Sequence, residues 1–322
     1  MFDTRFGLLI PQRGALFGVD SLRGLLDLGA MAEQSGWFSS VWVGDSLTAQ
    51  PRPEALSLLG ALSATTQHVR LGTSCMASFA LRDPVVLAYQ WATLDQLSGG
   101  RMVLGACTGL ISDGVSRREG EHWGVPDKER GPRLEENITL CRELWTGEPV
   151  YFDGRFRSYQ GVSVYPTPAQ DPCPIFIAAN PWDPRFAERV LRRVATLGDG
   201  WMSANSWPGL FEGLWPRLRD HLKQEGRDPD TFPVALLHNV NIGDSRDDCL
   251  AETARFIAEH EDDDEVATPM LEAWTAAGSP QRCATDLRAL LAKGATHLIL
   301  RLASWDQRAQ LRRLVDDVLP LV

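Results

Sequence analysis

Nowhere does this sequence set two cysteines in a Cys-x-x-Cys spacing. The six it has (75, 107, 141, 173, 249, 283) are scattered through 322 residues. That excludes a zinc-ribbon pattern and makes a disulfide framework an improbable reading of so long a chain. The six histidines are equally dispersed, so no metal centre has a nucleus. Excess positive charge is missing too. A formal net charge of −10 argues against a nucleic-acid surface, where phosphate neutralisation dominates affinity. No apolar run reaches the 18 or so residues of a membrane span, and no signal-peptide pattern opens the chain, so a cytoplasmic protein with no membrane partner is expected. The dinucleotide fingerprint Gly-x-Gly-x-x-Gly, the phosphate loop, the Gly-x-Ser-x-Gly elbow and His-Glu-x-x-His are all absent.

What is present is a rhythm. Eight short strand-like runs are each followed by a helix-like run. They are Arg5–Pro11, Ser40–Asp45, Val69–Cys75, Arg101–Gly109, Pro174–Asn180, Gly200–Ser203, Val234–Val240 and Thr296–Arg301. Eight such units are the count that closes a parallel α/β barrel, and 322 residues suit one such domain. Helix signals punctuate the runs. Asp20 or Ser21 caps a helix with Leu22, Leu25, Leu28 and Met31 on the helical period, and Asp83-Pro84 opens another that Gly99-Gly100 stops. After the fourth strand the rhythm breaks. Residues 110–173 form a long excursion, predicted to hold a helix over Pro132–Trp145 and a hairpin of Val150–Phe152 against Ser158-Tyr159, turned at Asp153-Gly154. A second loop is expected over about 261–275.

Barrels of this kind carry chemistry at the C-terminal strand ends. Those ends hold Asp45, Ser74-Cys75, Thr108-Gly109, Ala178-Ala179-Asn180, Ser203, His238 and Arg301.

The ordered set Trp42-Val-Gly-Asp45, Val69–Cys75, Arg82-Asp-Pro…Leu-Ser-Gly-Gly-Arg101-Met-Val-Leu-Gly105, Thr108-Gly109, Arg133-x-Glu-Glu-Asn137 and Asp199-Gly-Trp201 resembles the bacterial-luciferase-like flavin-dependent monooxygenases and the oxidoreductases that use coenzyme F420. The resemblance covers most of the chain. It implies a (β/α)8 TIM barrel whose mouth binds FMN or F420, and a non-proline cis peptide at Ser74-Cys75 behind the cofactor ring. It also implies cofactor contacts from Asp45, Ser74, Cys75, Thr108 and Gly109, and a phosphate site at Ala178, Ala179, Asn180, Gly200 and Ser203. Small residues there would equally serve tight strand-to-helix packing.

For catalysis the candidates are His238, Asp45 and Arg301. His238 is an acid/base candidate, or else a structural histidine. Arg301 either neutralises an anionic substrate or reduced ring, or pairs with Asp45. Asp45 either faces the cofactor or caps a turn. Relatives often carry a histidine after this acidic position and a glutamate after Thr-Gly; here Ser46 and Leu110 stand there. His122-Trp123 form a substrate wall or pack the excursion, and Trp182, Trp207 and Trp305 are candidates to line an apolar pocket.

The expectation drawn from these residues is a monooxygenase using reduced FMN and oxygen on a small organic substrate, supplied by a separate flavin reductase. The alternative is an F420-dependent hydride-transfer enzyme, with an F420-reducing enzyme as supplier. A non-catalytic flavin-binding relative and an unrelated hydrolase using Asp45 and Asp199 are the remaining readings. No metal is expected. A homodimer is implied by the resemblance, through the helices after strands two and three, which hold Leu56, Leu58, Leu59, Leu62, Val86, Leu87 and Trp91.

Overall fold

The computed structural model of the protein describes residues 2–109, 114–181, 183–204, 206–261 and 266–322. Leu110, Trp182 and the acidic residues 262–265 lie outside that set. Eleven strands occur among the described residues. β1 (Phe6–Leu9), β2 (Phe38–Asp45), β3 (Arg70–Met76), β4 (Met102–Ala106), β7 (Ile175–Ala178), β8 (Gly200–Ala204), β9 (Val234–Ile242) and β11 (His297–Leu302) pair in parallel, and β8–β9 pairing closes the circle. This is the eight-stranded (β/α)8 barrel the sequence predicts. β5 (Val150–Asp153) and β6 (Ser158–Val162) form the expected antiparallel hairpin, closed by a Gly154 N–H to Arg157 carbonyl bond of 2.9 Å.

The helices that clothe the barrel are α1 (Leu22–Gln34), α2 (Ala55–Thr65), α3 (Pro84–Ser98), α6 (Pro184–Leu197), α7 (Leu210–Gln224), α8 (Arg246–Glu261), α10 (Pro280–Ala292) and α11 (Gln307–Arg313). Their starts are the capped ones: Ser21, Asp83, Asp183 and Ser279 each accept a first-turn N–H, and proline occupies the first turn after the last three. Gly99, at φ +70°, ends α3 in the left-handed conformation glycine tolerates.

The structure corrects three expectations. The helix of the excursion, α5, runs Asp127–Leu144, not from Pro132. Acidic Asp127 and Glu129 favour its first turn, and Pro132 is carried inside at the cost of one backbone bond. A further helix, α4 (Gly114–His122), precedes it. The loop expected near 261–275 instead contains α9 (Thr268–Ala273) and leads into β10 (Thr275–Gly278), a ninth parallel strand paired with β9 outside the closed circle.

Strands buried on both faces split their side chains between two cores. Leu8, Val41, Val43, Leu71, Leu104, Ile175 and Leu236 pack outward against the helices. Leu9, Trp42, Val103, Phe176, Met202, Ala235 and Ile299 fill the barrel interior. The interior is plugged below by Phe2, stacked on His297 with ring centroids 3.9 Å apart.

Candidate functional site

Alternation along each strand decides which residues enter the barrel mouth. Above the filled layer, the inward positions are small on one side: Gly44 on β2, Cys75 on β3 and Ala178 on β7. A methyl group at Gly44 would come within 2.4 Å of the Arg52 guanidinium, which folds back over the mouth from the loop after β2. The Ser74–Cys75 peptide is cis, where the family resemblance implies it. The Ser74 hydroxyl oxygen is buried and meets no hydrogen-bond partner among the described residues.

The turn after β4 is built around a buried cation. Gly109 adopts φ +72°, and Arg130, fully buried, donates to the Thr108 carbonyl at 3.0 Å and to the Ser116 carbonyl. A Cβ at Gly109 would sit 2.7 Å from the Arg130 guanidinium. Among the described residues the Thr108 hydroxyl reaches only the Gly109 carbonyl at 3.3 Å, and the Gly109 N–H only the Cys107 sulfur at 3.5 Å. Both are weak contacts. Cys75 lies beside Cys107, and that neighbour together with burial raises the Cys75 thiol pKa well above its usual range, so it stays a thiol.

The excursion is tied to the rim by Glu119 on α4. Its carboxylate accepts the backbone N–H groups of Leu47, Thr48 and Ala49 at 2.6, 2.6 and 3.0 Å. On the opposite rim, Arg301 donates to Asn239 Oδ1 at 2.6 Å and lies over the Trp274 ring, 4.8 Å from its centroid.

Several sequence candidates fall elsewhere. Asp45 shares the outward face of β2 with Val41 and Val43, beyond a register shift. Its carboxylate accepts the Ser78 N–H and hydroxyl and pairs with Arg82 at 2.9 Å. Its partner is therefore Arg82, not Arg301, and it holds the loop after β3 instead of opening into the mouth. Asp199 lies at the other end of the barrel, where it meets Arg142 and the Ile175 N–H. A carboxylate pair with Asp45, as a hydrolase needs, does not form.

His238 shares its face of β9 with Leu236 and Val240, which pack into the outer core. Burial, with Lys293 nearby, pushes its pKa down to about 3, so it is neutral and turned away from the mouth. Gly200 begins β8, where the Phe176 ring would meet any Cβ at 2.6 Å; it serves packing at the lower end. Ser203 and Asn180 do meet, hydroxyl to amide oxygen at 2.7 Å, beside Ala179, whose carbonyl accepts the Trp201 indole N–H. His122 and Trp123 are exposed and Trp207 is half-exposed; Trp305 packs edge-on against Phe256.

The structure therefore places Ser74, Cys75, Thr108, Gly109 and Ala178 on one side of the barrel mouth and Arg301 on the opposite rim, with Asp45, Gly200 and His238 facing elsewhere. It adds Arg52, Glu119, Arg130, Asn239 and Trp274. Nothing in the sequence marked Glu119, which sits in a helix as polar as any solvated one.

Comparison with known proteins agrees with this architecture. The F420-dependent glucose-6-phosphate dehydrogenase of Nakamurella multipartita is 32% identical over 92% of this chain and 91% of its own. That of Microbacterium testaceum is 36% identical over 73% of this chain and 68% of its own. Among solved structures, an F420-dependent secondary alcohol dehydrogenase in complex with an F420-acetone adduct superposes with a TM-score of 0.84 at 17% identity, over 99% of both chains. A monooxygenase from Streptomyces bottropensis superposes at 0.78 and 18%, over 98% of this chain and 99% of its own. At such identities the superpositions speak for the fold alone. The model of the luciferase-like monooxygenase family matches residues 4–297, and the chain is an oxidoreductase belonging to that family.

Proposed function

We propose that this oxidoreductase binds coenzyme F420 in the barrel mouth and transfers a hydride between that deazaflavin and a small organic substrate. The observation that carries the reading is the likeness over nine-tenths of the chain to dehydrogenases named for F420. It reverses the preference for FMN and oxygen drawn from the sequence. The residues present fit a flat, polar-edged ring. Gly44, Cys75 and Ala178 leave a low floor. The orphaned Ser74 hydroxyl and the weakly engaged Thr108 hydroxyl and Gly109 N–H supply hydrogen bonds at its edge.

When bound, F420 supplies a ring carbon that accepts or releases one hydride. The protein orients that ring and biases its charge. Arg130 donates to the oxygen of the very peptide whose nitrogen is Gly109 N–H, and so polarises it into a stronger donor. Such preorganised donors stabilise negative charge that grows on the ring carbonyls during reduction. Cys75, held as a thiol, presents an uncharged surface.

Titration of the protein with F420 and with FMN tests the reading. Micromolar or tighter F420 binding is expected, with FMN bound at least about tenfold more weakly, a difference of about 1.4 kcal/mol. Binding of FMN alone would overturn it. Glucose 6-phosphate is the first substrate to assay, since two relatives are named for it. A second F420-linked enzyme is the partner that returns the cofactor to its starting redox state. The flavin reductase belongs to the FMN reading and is set aside with it. The six free thiols suit a reducing cytoplasm.

We also propose a homodimer through α3. Of the residues the sequence offered, Leu56, Leu58, Leu59, Leu62, Leu87 and Trp91 are consumed by the core, whereas Val86 is 55% exposed. With Tyr89 and Leu97 it makes an exposed apolar stripe. Light scattering should give twice the chain mass, and Tyr89→Glu with Leu97→Glu should halve it. A monomeric wild type would end the proposal.

A further inference from the structure

The structure assigns a redox modification site to the barrel mouth: hydrogen peroxide joins Cys75 and Cys107 as a disulfide, and that bond lowers the affinity of the mouth for its cofactor. The second half of this statement rests on the F420 reading above; the first half does not.

Strand geometry puts the two thiols together. β3 and β4 are neighbours, with Met76 opposite Ala106 and the Cys107 N–H donating to the Met76 carbonyl at 3.4 Å. Adjacent strands lie about 4.8 Å apart, and a disulfide spans Cα separations of about 4.4–6.8 Å. Both side chains take the inner face. Cys75 packs with the barrel interior. Along β4, Val103 points inward and Leu104 and Ala106 point outward, so alternation turns Cys107 inward as well. The two thiols meet there, side chain to side chain.

Access singles out this pair. Cys75 is the half-buried one of the six thiols, and the other five are buried. Gly44 and Ala178 are its inward neighbours at the top of the barrel, and their small side chains leave room for a small oxidant. The neighbouring Cys107 sulfur and burial keep Cys75 protonated, so the reaction is slow and answers sustained oxidant.

The chemistry balances on the pair. One sulfur gives its electron pair to a peroxide oxygen; the O–O bond breaks, a sulfenic acid forms and one water leaves. The second thiol attacks that sulfur; the S–S bond forms, the S–O bond breaks and a second water leaves. Two thiols lose two electrons and two protons, and one peroxide becomes two waters. The sulfurs close to about 2.05 Å. Cys107 is drawn towards β3, away from the Gly109 N–H that now reaches its sulfur at 3.5 Å. The Thr108-Gly109 turn, one residue further on, moves with it.

Treatment of the reduced, cofactor-free protein with hydrogen peroxide, followed by tryptic mapping and F420 titration, tests the site. A cross-link between the peptides of residues 71–82 and 102–117 is expected. F420 affinity should fall at least about tenfold with it, and dithiothreitol should reverse both changes. Saturating F420 should slow the cross-link. Cys75→Ser and Cys107→Ser should each form no link, and each should bind F420 equally before and after peroxide. Absence of the 71–82 to 102–117 link in wild type would overturn the site. A link that leaves F420 affinity unchanged, or a loss of affinity that persists in both serine variants, would overturn the effect on the cofactor. If the link forms but the reduced protein binds no F420, the dithiol site stands and the proposed function falls.

Discussion

Replacing Glu119 with alanine is expected to destabilise the protein by about 2–4 kcal/mol and to weaken F420 binding about tenfold, because three rim N–H groups lose one shared acceptor. Those three donors belong to consecutive residues, Leu47, Thr48 and Ala49, on the loop between β2 and α2. A single carboxylate oxygen gathers them while the side chain is only 2% exposed. Two of the donors can rehydrate, since Leu47 is half-buried and Thr48 exposed; Ala49 is buried and cannot. That asymmetry keeps the estimate below three full desolvation penalties.

The functional arm follows from place. The same loop continues to Gln50 and Arg52, and Arg52 lies over Gly44 in the mouth. A loop released at 47–49 no longer holds Arg52 there. Glu119→Gln keeps an acceptor oxygen and loses only the charge, so it should recover most of the stability, within about 1 kcal/mol of wild type. Urea unfolding and fluorescence titration with F420 check both arms. Unchanged affinity in a folded Glu119→Ala protein would show that the loop does not shape the mouth.

Legibility from sequence followed what short-range pattern encodes. The β-then-α rhythm, the capped helix starts and the hairpin are local signals, and they located all eight barrel strands and the turns at Ser74-Cys75 and Thr108-Gly109. Facing was not legible. The run Val234-Ala-Leu-Leu-His-Asn-Val240 is apolar on both faces, as a strand between two cores must be, so nothing in it says that Asn239 and not His238 looks inward.

Asp45 stands at the right height, but the register shift between Val43 and Asp45 separates height from direction. Gly200 was placed at the correct strand and the wrong end. β10 escaped notice because Thr-Ala-Ala-Gly has little β propensity and is a strand only by virtue of its neighbour β9. Glu119 and Arg130 are defined by partners distant in the chain, at 47–49 for one and at Thr108 for the other. No window along the sequence holds both halves of such a contact.

The burial that lowers the His238 pKa is expected to make the fold acid-sensitive. Between pH 6.5 and 5 the protein is expected to lose about 2–4 kcal/mol of stability through His238 and His297 together. Both have pKa values pushed down to about 3, in each case chiefly by burial. The neutral form of His297 is also the one its contacts fit. Nδ1 faces the Thr4 carbonyl at 3.3 Å, which calls for its proton there, and Nε2 lies 2.7 Å from the Ser40 hydroxyl. That hydroxyl accepts the Trp42 indole N–H, so its own hydrogen is available to Nε2. A second ring proton would leave no acceptor for the hydroxyl.

The sign follows from the depressed pKa. The unfolded chain takes up the protons near pH 6.5 and the folded chain does not until about pH 3, so stability is full above 6.5 and declines as pH falls between those limits. Glu33, Glu54 and Glu252 are lowered from 4.5, so their contribution is lost only as pH falls below about 4.5, under the pH 5.0 limit of the comparison. Urea midpoints at pH 7.5 and 5.0 should therefore differ in wild type. His297→Gln, which keeps an amide donor and acceptor, should remove about half of that difference. A wild-type midpoint that does not move, or a His297→Gln protein with the full wild-type slope, would place the acid sensitivity elsewhere in the molecule.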